Sequence, residues 1–208
     1  MNQPAPSNQL MENLSGALDV MFGNNGGLSR IDQSTDGFWW SFAGLGLAGL
    51  IDVSALAMRY GSFHTQVMAD PPGKIWFIIA SLAIALIAYG AGMILLYLLC
   101  REPAERANFF RTLIIHNWAA PIISVAVLPF IVAGSLNAQA LNSANPPLIW
   151  QSVMLFITGL LCVAGVRLIR WGLDIPLSRA LWFFAVTAFA SLIVAEGLQI
   201  AAGLSVQS

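Results

Sequence analysis

Five stretches of this chain are apolar for long enough to cross a bilayer: 38–58, 75–99, 113–136, 149–169 and 180–204. A transmembrane helix needs about 20 mostly apolar residues, and short polar connectors separate the five. The pattern predicts an all-α fold, a polytopic membrane bundle of five helices spanning residues 38–208. Residues 1–37 are polar by comparison and form an N-terminal segment. Within it Leu10, Met11, Leu14, Leu18, Met21 and Phe22 recur at helical spacing opposite Glu12, Asn13, Ser15 and Asp19, which predicts a short amphipathic helix over 9–22. Its polar face carries acids but no Lys or Arg, so attraction to an anionic leaflet is missing. Docking against the bundle or a protein partner is the expected role of this helix, and a weakly ordered tail touching the bilayer is the alternative. The run Asn24-Asn25-Gly26-Gly27 is expected to break it. No basic stretch precedes Phe38 as a signal peptide would require, so the first apolar stretch reads as a retained span.

Composition agrees with the pattern. Hydrophobic residues make up 58% of the 208 and charged residues only 9%, with a mean hydropathy of +0.75; a water-exposed domain carries roughly 25% charged residues. The surface must face lipid. A net charge of -1 excludes the basic face that a nucleic acid would demand. The two cysteines, Cys100 and Cys162, have neither disulfide-framework nor zinc spacing. No cofactor is implied.

Positive charge sets the orientation, because Lys and Arg are retained in the cytoplasm. Seven of the nine basic residues lie on one side of the five spans: Arg30, then Arg101, Arg106 and Arg111, then Arg167, Arg170 and Arg179. The N-terminus is therefore expected in the cytoplasm and the C-terminus in the periplasm of a bacterial inner membrane. All seven tryptophans, Trp118 included, fall near an expected interface, where amphipathic rings collect. Gly44, Gly46, Ala48 and Gly49, and Ala88 with Gly92, offer small residues for close helix approach. Pro121 and Pro129 are expected to kink the third span. Asn145-Pro146-Pro147 reads as a turn, and Pro176 with Ser178 as a loop ending at an N-cap.

The run Leu28-Ser29-Arg30-Ile31-Asp32 through Ser34, Asp36-Gly37-Phe38-Trp39 and Ser41-Phe42, with His116-Asn117-Trp118, resembles small bacterial inner-membrane proteins of unknown function. The layout, a cytoplasmic N-terminal segment followed by five spans, is similar to that of the Yip family, whose eukaryotic members bind Rab GTPases and act in vesicle traffic. That resemblance is topological, since the Tyr-Thr-Pro signature of the family is missing here. It implies a part in membrane organisation.

Ionisable groups inside a membrane are costly and hence functional candidates. Asp52 and Glu196 qualify, at about 21 Å and about 24 Å from the starts of their spans by helical rise. Were the first and fifth helices in contact, the two carboxylates would share a proton and serve a proton or cation pathway; the structural alternative pairs Asp52 with Arg59. Gln199 extends a polar seam beyond Glu196. His116 and Asn117 enter the third span and read as a polar site at the headgroup level, while His64 lies most of a bilayer away, which excludes a haem held between the two histidines. Arg101, Arg106, Arg111, Arg167, Arg170 and Arg179 read as topology signals in contact with lipid headgroups. No nucleotide, metalloprotease, hydrolase or dinucleotide motif occurs, so no enzyme is expected. Two readings follow: a non-enzymatic accessory or scaffold protein whose partner docks on residues 9–22, or a small proton- or cation-linked transporter or channel, which with five spans would work as a homo-oligomer. The topology is checked directly by a thiol tag at Ser208, which should be labelled by impermeant reagent from the periplasmic side of intact cells. Labelling from the cytoplasm alone would overturn the five-span assignment.

Overall fold

The computed structural model describes residues 6–66, 73–136 and 148–204, all in helices or the short turns between them. Helix α1 spans Pro6–Met21, a 3-10 turn follows at Asn25–Arg30, and five long helices complete the chain: α2 Thr35–Gln66, α3 Lys74–Leu99, α4 Pro103–Leu136, α5 Leu148–Leu173 and α6 Leu177–Ala201. Each of the five is long and apolar enough to cross a membrane, and the protein is an all-α, multi-pass membrane protein. Large apolar side chains stand exposed around its outside, among them Ile79 and Ile94 on α3, Leu155 on α5 and Phe189 and Leu192 on α6. Such a surface is stable only against hydrocarbon. The turn expected at Asn145-Pro146-Pro147 and the side chains of His64 and Trp150 lie outside the described residues.

Two helices overrun their apolar stretches. α2 begins at Thr35, and α4 begins at Pro103 rather than near 113. Hydropathy marks the part of a helix that lipid surrounds, whereas its start depends on where backbone N–H groups find acceptors. At α4 the Glu105 carboxylate turns back to accept from the backbone N–H groups of Arg101 (3.1 Å) and Glu102 (3.2 Å), with Pro103 at the first helical position. Polar residues 103–112 are thereby helical too. At α6 the cap is Pro176, with no side chain capping it, and Ser178 lies inside the helix instead.

The five long helices form a closed ring in the order α2, α4, α5, α6, α3, each packed on its two neighbours. The contact of α2 with α4 is the most extensive, and its centre is a meeting of backbones. A Cβ on Gly44 would stand 2.6 Å from the Asn117 carbonyl oxygen and 2.9 Å from the Trp118 ring. Pro121, four residues on, has no N–H to offer that carbonyl, so the oxygen left without its helical donor is the one against which α2 packs. α4 remains continuous through both Pro121 and Pro129. Trp118, expected at the membrane interface, is instead wholly buried between α1, α4 and α5.

Helix α1 is docked on the bundle. Ala17, Val20 and Met21 bury against Ile114, Ile115 and Trp118 of α4 and Ala164 and Leu168 of α5. Asn13, also buried, accepts the Asp32 N–H at 2.9 Å, and Gln9 donates to the Asp32 carboxylate at 3.1 Å. The helix ends at Gly23 rather than in the following Asn-Asn-Gly-Gly run: Gly23 takes φ +95°, its N–H bonds the Val20 carbonyl and the Asn24 N–H bonds that of Asp19. This left-handed C-terminal turn admits glycine without steric cost. Asn24 then caps the 3-10 turn, accepting from the Gly26 N–H.

The arginines expected at lipid headgroups hold helix ends. Arg106 donates to the Cys100 carbonyl after α3 (2.9 Å), Arg111 to the Gly172 carbonyl in the last turn of α5 (2.7 Å) and Arg167 to the Met21 carbonyl ending α1 (3.0 Å). Each places a cation on the negative end of a helix dipole, where carbonyls lack intrahelical donors. Arg179 joins α6 to α4 through Glu102 and Glu105. Arg170 lies over the Trp171 ring, 4.4 Å from its centroid, and the side chain of Arg101 is exposed.

The glycines of α2 should separate sharply on substitution. Gly44→Leu must push the α2 and α4 backbones apart and is expected to cost at least the roughly 1–3 kcal/mol of core overpacking. Gly46→Leu, whose Cβ meets nothing within 4 Å, should change stability by no more than about 0.5 kcal/mol. Thermal unfolding of the two variants in detergent compares them; equal midpoints would refute the backbone contact.

Candidate functional site

Inside the ring lies a cavity of about 820 Å³, lined by residues of all five long helices. Its wall is mostly apolar, as in Leu45, Leu82, Ile123 and Phe184, with a few polar groups at two levels. Such a volume falls in the range that holds a small organic ligand, roughly 300–1,000 Å³.

The first polar level is organised around Asn117. Tyr89 of α3 donates its hydroxyl to Asn117 Oδ1 (2.8 Å), and Asn117 Nδ2 donates to Ser41 Oγ of α2 (2.9 Å). Ser41 passes its own hydrogen to the Phe38 carbonyl at 2.7 Å. Three helices are thus joined by one directional chain, each member having a partner as a buried polar group must. Asn117 and Ser41 are wholly buried. On the same level Ser191 of α6 donates to the Ala88 carbonyl of α3 at 3.0 Å, and a Cβ on Gly92 would collide with its hydroxyl.

His116 sits beside this chain and faces the cavity. Its Nδ1 lies 2.9 Å from the Thr112 carbonyl, one turn back on α4. A carbonyl can only accept, so Nδ1 carries the hydrogen, and in the neutral ring Nε2 carries the lone pair. Nε2 has no hydrogen-bond partner among the described residues. The ring's remaining surface is cavity wall, which is why His116 is half-buried between two fully buried neighbours, Ile115 and Asn117.

The second level holds Asp52. It lines the cavity and is half-buried. Since Gly44 lies against Asn117 and α2 and α4 run in the same direction, Asp52, eight residues beyond Gly44, stands about 12 Å further along the bundle. Ser124, seven residues beyond Asn117, is therefore on its level. Asp52 and Arg59 form no ion pair among the described residues, and no other side chain bonds the Asp52 carboxylate there.

The structure separates the two acids that their matched depth suggested as a pair. α3 stands between α2 and α6 in the ring, and Glu196 is exposed, not on the cavity wall. Gln199 shares the exposed face of α6. Depth along a helix can be read from spacing, but azimuth relative to other helices cannot. His116 and Asn117 are turned toward other helices, His116 on the cavity wall and Asn117 bonded to Ser41 and Tyr89. Tyr89, Ser41 and Thr112 were not singled out by sequence reasoning. For Tyr89 a signal existed: a phenol in the middle of an apolar span must find a partner in the bundle.

The cavity opens sideways between α2 and α3. Leu50 and Leu86 both line it, yet are 68% and 54% exposed, so they form a rim facing hydrocarbon. Nearer the other end of these helices the gap is closed by Tyr60 against Phe77, with ring centroids 5.6 Å apart. A second apolar groove of about 530 Å³ runs between α4 and α5, lined by Phe130, Phe156 and Leu160, and Leu161 forms a wall common to both spaces. Among the described residues no three His, Cys, Asp or Glu side chains gather as a metal site would require.

Fold and cavity define a multi-pass α-helical membrane protein with a central, laterally open cavity. No protein family, curated protein or solved structure matches this chain.

The Asn117 chain has a measurable weight. Tyr89→Phe deletes one interhelical bond and should cost about 0.5–1 kcal/mol, the usual worth of such a bond within a membrane. Asn117→Ala breaks both bonds, leaves a void and should cost about 2 kcal/mol or more. Denaturation of both variants in mixed micelles measures the difference; a Tyr89→Phe loss equal to that of Asn117→Ala would show that the Ser41 bond carries no weight.

Proposed function

We propose that this chain is a non-enzymatic bacterial inner-membrane protein that binds an amphipathic small molecule between its five helices, taking it up from the bilayer. The arginine-bearing end, with α1, faces the cytoplasm in this reading, and the C-terminus faces the periplasm. The observation that carries it is the central cavity, with apolar walls, unpartnered polar groups and a rim open to hydrocarbon. A ligand that reaches the site through lipid must be mostly apolar, and the polar groups at His116 and Asp52 would orient it.

This reading draws on both earlier ones. An accessory role through residues 9–22 loses support because the buried face of α1 is committed to α4 and α5; what remains outside is the stripe Met11, Leu18 and Phe22. A proton pathway through Asp52 and Glu196 loses support because Glu196 is exposed on α6, away from the cavity wall that carries Asp52. Asp52 keeps its interest as a cavity residue.

A native reporter lies in the cavity wall. Cys162 lines it and is exposed, whereas Cys100 is fully buried, and loss of water pushes its thiol up to about 11, with the neighbouring Glu105 charge adding to the rise. N-ethylmaleimide should therefore label Cys162 and spare Cys100. In neutral detergent, labelling of Cys162 is expected to slow at least threefold when dodecanol is added, and likewise in Gly46→Phe, whose ring would occupy the cavity. An unchanged labelling rate in both cases would sink the cavity reading.

A further inference from the structure

The charged group on the described cavity wall is an acid, and it specifies the charge of the ligand. Resting on the binding reading above, we infer that the occupant is an amphipathic amine: a long apolar body bearing a protonated nitrogen that pairs with the Asp52 carboxylate. Among the described residues lining the cavity, Asp52 is the only Asp, Glu, Lys or Arg. Its carboxylate has no hydrogen bond or ion pair among the described residues, and a charge enclosed in an apolar wall demands a partner. The second open group, His116 Nε2, is an acceptor in the neutral ring because Nδ1 is engaged with the Thr112 carbonyl. Three donors on the wall are committed, Tyr89 to Asn117, Thr187 to the Phe183 carbonyl and Ser191 to the Ala88 carbonyl; the hydroxyls of Ser124 and Thr158 also line the cavity, but they are neutral and offset no anionic charge. A carboxylate or phosphate headgroup would meet a like charge at Asp52 and no basic side chain to offset it. An ammonium meets a carboxylate at one level and, for a body carrying a second N–H or O–H about 12 Å away, an acceptor at the other.

A bare metal cation is a poorer fit. Hard cations take six or more oxygen ligands, and the wall around Asp52 offers one carboxylate with the hydroxyl of Ser124 on its level, among apolar side chains. One charge contact within an apolar enclosure is the arrangement that suits a nitrogen already attached to a hydrocarbon body. The lateral opening at Leu50 and Leu86 gives such a molecule its route, since amphipathic amines partition into the bilayer and reach the rim from within it.

Three probes of equal chain length separate the possibilities: dodecylamine, dodecanol and dodecanoate, each titrated into the purified full chain in neutral detergent with Cys162 labelling as the readout. The wild type is expected to bind dodecylamine at least tenfold more tightly than dodecanol and dodecanoate most weakly. Asp52→Asn should bring the amine and alcohol affinities to within about threefold of each other, and Cys162 protection by dodecanol that persists in the variant, at whatever affinity, shows that it is folded. Equal affinities for amine and alcohol, or an amine preference that survives Asp52→Asn, would overturn the inference while leaving the cavity as a site for neutral amphiphiles. Absence of protection by all three probes would overturn the cavity reading with it.

Discussion

The seating of α2 on α4 at Gly44 and Asn117 is the contact on which the rest of the structure depends. Hydrocarbon outside the bundle is as apolar as the helices themselves, so burial alone gives them little reason to associate, and packing and hydrogen bonds must do it. At this point the absence of a side chain on Gly44 lets two backbones meet, and the absence of an N–H on Pro121 leaves the Asn117 carbonyl facing that meeting. The Asn117 side chain, held at the same level, then binds Ser41 of α2 and Tyr89 of α3. One residue thus sets the spacing of three helices. With α2 seated on α4 and the long Tyr89 side chain reaching Asn117 from α3, the ring encloses a space rather than closing on a solid core.

At the arginine-bearing end a different physics holds the ring. Helix C-termini expose carbonyls that have no donors, and in or near a bilayer water is scarce enough that the protein must supply them. Arg106, Arg111 and Arg167 each do so for a different helix, and Arg179 ties the start of α6 to that of α4 through Glu102 and Glu105. The same charges that would hold this end in the cytoplasm also close it. Among the described residues the opposite half of the bundle has no comparable girdle of arginines.

The five spans were legible because hydropathy over about 20 residues is a property of the chain alone, imposed by the thickness of the bilayer. The amphipathic α1 was legible for the same reason, its stripe being a local periodicity. The site was legible only in pieces. Asp52, His116 and Asn117 could be named, since a polar group within an apolar span is conspicuous wherever it stands. Their surroundings could not: Asn117 binds partners 28 and 76 residues away along the chain, and Glu196, matched to Asp52 in depth, faces another direction. For Arg106, Arg111 and Arg167 the bonds to helix carbonyls were not legible, for a cation at a membrane boundary satisfies the same positional pattern whether it bonds a lipid headgroup or a helix carbonyl.

By itself the sequence determined the membrane class, the five helices long and apolar enough to cross, and their lengths to within the polar extensions, because hydropathy over a bilayer's thickness is a property of the chain alone. Which way a residue faces, and what stands opposite, was decided only when the helices took their places in the ring. Rotation of a helix about its own axis costs nothing in a uniform apolar solvent; neighbours alone fix it, through close contacts such as Gly44 against Asn117 and bonds such as Tyr89 to Asn117. That rotation turned Asp52 and His116 inward to a shared cavity and Glu196 out of it.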